Sequence, residues 1–408
     1  PPAVQTDSTR LVVATTTKDE SLPDTPSVSV DTTIPPSIAE QGVVRPPASE
    51  TPVVASPPPP ALGTPTPARR TLGARVGMSL GETLSVQGGD ALRRTLDDLV
   101  SLGVGWVRVD LAWNSIQPNG PDEYRWTAFD QVVREARARN LQVLALITYT
   151  PHWARRSECA GTSKCEPDDP AKFATFARTA VARYAPLGVH TWEVWNEPNL
   201  QLFWASGASA FRYTQLLRAT YVAIHEADPG AVVLSGGLAA VGTSGGNISA
   251  REYLERMYES GAQGYFDALS YHPYTFPLSP SFYKQSSPWS QMAQTEWSVR
   301  GVMQANGDGA KKIWITEYGA PTGGPGSVAE SNDHGFWSVP DHVSEEWQAT
   351  ILREAFTENN ALSWTGPLFW YSYRDLGTNT NTKENFFGVI RADGSHKSAY
   401  DALVKVTR

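Results

Sequence analysis

Two stretches of this chain carry an acidic side chain to the end of an otherwise apolar run. Thr191-Trp-Glu-Val-Trp-Asn-Glu-Pro198 delivers Glu197 to the position before a proline, and Lys312-Ile-Trp-Ile-Thr-Glu-Tyr-Gly319 delivers Glu317 to a position two residues before a glycine. Each run reads as a buried strand, and Pro198, with no N–H to donate, marks where the first must stop. Two carboxyls facing each other across a cleft suit displacement at an acetal carbon. One is protonated and helps the leaving oxygen depart; the other is ionised and attacks or stabilises the oxocarbenium-like carbon. The competing reading is a pair of structural glutamates held by arginines.

The surrounding pattern indicates what positions them. Short β-rich runs alternate with amphipathic stretches of helical period, as in βα units. Strands are expected over 72–80, 104–113, 142–149, 190–197, 231–236, 266–271, 312–317 and 367–373. Helices are expected over 92–102, 129–139, 171–184, 211–227, 250–260, 292–306 and 344–359, with a last helical segment from Ala399. About eight strand–helix pairs predict a (β/α)8 TIM barrel over residues 71–408. A doubly wound sheet binding a dinucleotide would carry a Gly-rich turn after its first strand, and Met78-Ser-Leu-Gly-Glu82 lacks one. In a barrel the catalytic groups sit at the carboxyl ends of the strands, where Glu197 and Glu317 fall. Simple alternation puts Glu193, Trp195 and Glu197 on the lumen side, with Glu193 deeper and Arg108, in Trp106-Val-Arg-Val-Asp110, as its expected partner.

Residues 1–70 differ in texture, being rich in Pro, Thr, Ser and Val with Pro57-Pro-Pro-Pro60 near the end. Such a segment favours extended conformations over a packed core and reads as a tether. The chain has 408 residues and a net charge of −8, and with no basic stripe nucleic acid is not an expected partner. No uninterrupted apolar run approaches the roughly 18 residues of a membrane span. Cys159 and Cys165 are the only two cysteines: a short disulfide in an oxidising compartment, idle thiols in a reducing one. The tether favours the disulfide and an extracytoplasmic location, secreted or at the cell envelope. The seven histidines form no ligand cluster, so no metal and no cofactor is expected, and a monomer is expected.

Trp192-Glu-Val-Trp-Asn-Glu-Pro198 and Ile315-Thr-Glu-Tyr-Gly319 resemble the paired signatures of the clan A glycoside hydrolases, most closely family 39 and its bacterial exopolysaccharide-hydrolase relatives, more distantly family 5. The resemblance runs from about Ala74 to the C terminus. It implies Glu197 as general acid/base and Glu317 as nucleophile of a retaining hydrolase of β-linked poly- or oligosaccharides. It further implies Asn196 bonding the hydroxyl next to the anomeric carbon, His272 and Tyr274 at the sixth strand, the tyrosine holding the nucleophile, Arg108 on the second, and Trp370 under the bound sugar. Asn196 and Glu197 can both face the substrate only if the strand twists or bulges at its end. The third strand departs from the family 5 pattern, leaving His152 and Trp153 as lining residues, with Trp113 in a similar loop. Glu197 is expected to have a raised pKa beside the nucleophile. Trp113, Trp153, Phe203, Trp204, Tyr274, Phe276, Trp289 and Trp337 are candidate sugar platforms, fewer than half of which should touch substrate. The alternative is a catalytically silent barrel that binds extracellular carbohydrate.

Overall fold

The computed structural model describes residues 73–282, 287–293, 297–333 and 340–407. The expected tether over residues 1–70, and Trp337, lie outside the described residues. Eight strands, β1 (Val76–Ser79), β2 (Trp106–Ala112), β3 (Gln142–Thr148), β4 (Thr191–Val194), β5 (Val232–Leu234), β6 (Ala268–His272), β7 (Lys312–Tyr318) and β8 (Thr365–Tyr371), run parallel in chain order. β8 pairs back on β1, with Val76 opposite Leu368 and Ser79 opposite Tyr371. The sheet is therefore a closed barrel with helices around it, the expected (β/α)8 architecture.

The outer helices start where short polar side chains precede apolar runs. Asp169 accepts a hydrogen bond from the Ala171 amide ahead of Pro170–Tyr184, with proline at its first turn. Ser209, Ser249 and Ser344 cap Ala210–Ala227, Ala250–Glu259 and Glu345–Ala361 in the same way. Each such cap satisfies an amide the helix leaves open and contributes about 1 kcal/mol. The helix expected over 292–306 is instead two, Pro288–Ala293 and Val299–Ala305. Ser298 is extended and caps the second, so it starts a helix rather than continuing one.

Side chains fill the lumen in layers. At the floor Trp106 meets Trp314 edge-on at 5.3 Å, and Trp314 stacks on Phe369 at 6.5 Å, with Leu144, Leu234 and Ala268 around them. Gly77 makes room for this plug, since a Cβ there would come within 2.4 Å of the Phe369 ring. Above the floor the lining turns polar, and Arg108, Glu193, Ser270 and Thr316 are all buried.

β4 ends three residues before its expected end. Trp195 and Glu197 have left-handed φ values of 73° and 43°, a conformation that costs about 1–3 kcal/mol for each non-glycine residue. Alternation therefore fails at Trp195, which turns out of the lumen to pack on Phe173 and Trp204. The backbone groups released by the break find side-chain partners, as buried peptide groups must. The Tyr213 hydroxyl donates to the Val194 carbonyl at 2.9 Å and accepts from the Gly236 amide at 2.5 Å. The Asn199 side chain exchanges hydrogen bonds with both backbone groups of Ala239. The kink turns Asn196 and Glu197 alike toward the mouth, the twist the sequence required if both were to serve.

Candidate active site

Arg108 is the hub of the site. It is 1% exposed, donating through Nε to Glu193 Oε2 at 2.6 Å, through Nη1 to Glu317 Oε1 at 2.5 Å and through Nη2 to Asn196 Oδ1 at 2.9 Å. Glu193, fully buried, accepts on its other oxygen from Ser270 Oγ at 2.7 Å, Thr316 Oγ1 at 3.1 Å and the Gly237 amide at 3.1 Å. Both oxygens of this deep carboxylate are thus engaged, which is what allows an ion to stay in the barrel interior. Gly237 can be nothing larger, because a Cβ would lie 2.1 Å from His272 Nε2.

Glu317 leaves β7 just above this layer. Its Oε2 accepts from the Tyr274 hydroxyl at 2.9 Å, while Arg108 holds Oε1. Burial works against its charge, but His272, Arg108 and the Tyr274 hydrogen bond outweigh it and hold the carboxyl below its ordinary value. Glu317 is therefore the side chain prepared to be an anion. Glu197 Oε1 lies 3.0 Å from His272 Nδ1, and His272 Nε2 lies 2.9 Å from Thr316 Oγ1. Burial alone would lower the imidazole pKa, yet the Glu317 and Glu197 carboxylates raise it above its ordinary value. One oxygen each of Glu197 and Glu317 and a ring nitrogen of His272 lie within 4.8 Å of one another.

These three groups have spacings a metal ion could use, but Glu317 already carries a guanidinium on one oxygen and a phenol on the other. Cys159, Cys165 and Glu166 are also close, but the two cysteines are joined in a disulfide. The donor set fits proton transfer and displacement at carbon better than cation binding.

No family model matches the sequence. A family 39 glycoside hydrolase from the gut symbiont Bacteroides cellulosilyticus WH2 superposes with a TM-score of 0.63 at 20% identity, covering 82% of this chain and 63% of that one. A monomeric beta-xylosidase from Caulobacter crescentus CB15 gives 0.59 at 18% identity, over 81% and 67%. A GH5_18 structure from Streptomyces cattleya, in complex with GlcNAc, gives 0.56 at 19% identity, over 82% and 80%. These likenesses show a shared (β/α)8 barrel fold. The chain spans less than two thirds of the length of the first of these structures.

Of the positions that the clan A resemblance assigned, Arg108, Asn196, Glu197, His272, Tyr274 and Glu317 come together at the mouth. Trp113 does not. It is fully buried outside the barrel wall, between Phe173 and Phe176 of the neighbouring helix, with Trp153 edge-on and half-buried beside it. His152 is exposed on the turn after β3. Trp370 is fully buried and packs on Tyr318, because Phe369 is the residue of β8 that faces the lumen. The next lumen-facing residue is Tyr371, whose phenol is raised by burial and by Glu317 and Glu384. Among the candidate platforms, Trp204 and Trp289 are core residues, while Phe203 and Phe276 are half-buried. Sequence reasoning missed Tyr371, Glu384, Glu82 and Asp110. Asp110 was accessible to it, lying two residues beyond Arg108 on the same face of β2.

No described helix is long and apolar enough to cross a membrane. Cys159 and Cys165 are joined at an S–S distance of 2.00 Å. Arg156 and Arg212 both reach Glu166, just after this short loop, at 3.7 Å and 3.0 Å.

Proposed function

We propose that this protein hydrolyses β-linked glycosides of poly- or oligosaccharides with retention of anomeric configuration. One observation carries the reading: two carboxylates approach within 4.8 Å while only one of them, Glu317, is held by a buried cation and a phenol. A retaining pair stands about 5–5.5 Å apart, against about 6.5–9.5 Å for an inverting pair that must admit a water. The short separation supports double displacement.

In the first step an oxygen of Glu317 attacks the anomeric carbon as the bond to the leaving oxygen breaks, and Glu197 gives that oxygen its proton. In the second, Glu197 takes a proton from water, which attacks the same carbon and releases Glu317 from its ester. Arg108 and Tyr274 stabilise the Glu317 anion before attack and on its release. Asn196, oriented by Arg108, offers its amide N–H to a hydroxyl next to the reacting carbon, a contact expected to strengthen in the transition state. The disulfide and the Pro/Thr/Ser-rich first 70 residues support a tethered enzyme outside the cytoplasm.

The test is a glycan panel assayed with wild type and Glu317→Ala. Sugar release by wild type, abolished in the variant, supports the reading. Glycan binding with no release by wild type would leave the silent carbohydrate-binding barrel in its stead.

A further inference from the structure

Glu197 and Glu317 account for the bond that breaks, but a second pair of acids shares the mouth without a role. Asp110 is only 9% exposed, and among the described residues no donor hydrogen-bonds its carboxylate. It stands on β2 two residues past Arg108, on the same inward face, so it looks into the mouth from the side where Arg108 holds Glu317. The turn after β1 is laced to it, with the Leu80 amide on the Arg108 carbonyl at 3.0 Å and the Asp110 amide on the Gly81 carbonyl at 3.1 Å. That lacing carries half-buried Glu82 close enough for its charge to act on Asp110. Tyr149, half-buried with a left-handed φ of 60°, closes the group from the end of β3, and Tyr371 faces it from β8.

The charges facing Asp110 are Arg108, Glu82, Glu193 and Glu317, with the Tyr149 and Tyr371 phenols. Arg108 is the one cation among them, and its nitrogens are committed to Glu193, Glu317, Asn196 and Ser79. Burial lifts Asp110 to about 7, with Arg108 opposing and Glu82 adding to the rise, and burial also raises Glu82. Neither Asp110 carboxylate oxygen is among the buried atoms left unpaired, so its residual exposure opens them to the mouth, where a ligand's donor can reach them.

We propose that Asp110, with Glu82 beside it, is the specificity-determining acceptor pair for the sugar that keeps the anomeric carbon, selecting a glycone rich in hydrogen-bond donors, hydroxyl or ammonium, over one bearing a carboxylate. The assignment rests on the retaining-hydrolase reading. Glu317 bonds the anomeric carbon and Glu197 faces the leaving group, so acids on the Glu317 side meet the retained ring. A uronate there would add a further anion to a pocket whose single guanidinium is already shared.

The experiment measures kcat/KM at pH 8 for wild type, Asp110→Asn and Glu82→Gln on three 4-nitrophenyl β-glycosides: the hexoside preferred in the glycan panel, its 2-amino counterpart and its uronide. Wild type is expected to disfavour the uronide. Each variant should lose about 10- to 100-fold on the preferred glycone, the range for a hydrogen bond to a charged acceptor. Its uronide rate should hold or rise, and Asp110→Asn should erase an ionisation near 7 from the kcat/KM profile. Whether the hexoside or the amino sugar suffers more identifies the donor. Equal losses on all three glycones, with the ionisation retained, would mark a merely structural role and overturn the proposal. No loss on any glycone, or a wild-type preference for the uronide, would overturn it too. Active wild type with unaffected variants defeats this inference alone, whereas a wild type that cleaves nothing defeats the hydrolase reading and this one together.

Discussion

Replacing Arg108 with methionine removes the cation on which two carboxylates depend. The side chain is 1% exposed and reaches Glu193 at 2.6 Å and Glu317 at 2.5 Å. Methionine preserves much of the stem but leaves Glu193 without its cation and Glu317 with only His272 and the Tyr274 hydroxyl to offset its charge, and breaking a buried ion pair from one side costs about 3–5 kcal/mol. At about 2.1 cal/mol/K of unfolding entropy per residue, a domain of roughly 330 residues loses ~1.4 °C for each kcal/mol, so Tm should fall by ~4–7 °C. The double variant Arg108→Met/Glu193→Gln removes one orphaned anion along with the cation. It should be at least about 1 kcal/mol more stable than the two single effects predict when summed, as expected for residues in one network.

The same variant has a signature in pH. Glu317 has a depressed pKa in the folded protein, so it contributes stability above its unfolded value, and that contribution is lost as pH falls through the folded one. The Arg108→Met deficit should therefore be full at pH 7 and close as acid protonates the carboxyls. With the guanidinium gone, the acid limb of kcat/KM should move to higher pH, because Glu317 must still be ionised to attack. Urea denaturation at pH 7 and pH 4, with pH–rate profiles, measures all of this. Additive single effects, or an acid limb that stays in position, would refute the reasoning.

Tyr274→Phe removes the hydroxyl that donates to Glu317 Oε2 at 2.9 Å; kcat should drop by about 10- to 100-fold, the range for a charge-assisted hydrogen bond, with circular dichroism unchanged. Replacing Cys159 and Cys165 with serine opens a loop of sequence separation 6, which should cost about 2 kcal/mol in the chain-entropy account, seen as a Tm about 3 °C lower and insensitive to reductant. Deleting residues 1–70 should leave kcat/KM on a small aryl glycoside unchanged, and a large loss would assign that segment a part in the site.

The barrel was legible because period-2 runs and period-3.6 runs alternate along the sequence and local patterning sets both. The two glutamates were legible because each closes an apolar run, and Arg108 because a deep carboxylate at Glu193 demands a cation. Legibility ended where side-chain direction departs from period 2. At Trp195 a left-handed φ turns the indole outward and Asn196 inward, and a strand written as alternating gives no notice of that. At the eighth strand the resemblance misled by one position: it implied Trp370, but alternation from Phe369 gives the lumen to Tyr371. The loop that resembles the family's puts Trp113 among the lining residues, yet Phe173 and Phe176 of a helix some sixty residues later draw it into the outer core. Asp110's inward direction followed from Arg108 by alternation, but only three dimensions reveal that no donor among the described residues pairs its carboxylate.

A mechanism-based trap probes the chemistry most directly. Incubation with a 2-deoxy-2-fluoro glycoside of the preferred sugar, bearing a good leaving group, should accumulate a covalent adduct of one glycosyl unit, and peptide mass spectrometry should find it on Glu317. An adduct on Glu197 or any other residue, or turnover that releases the opposite anomer without an adduct, would contradict the account.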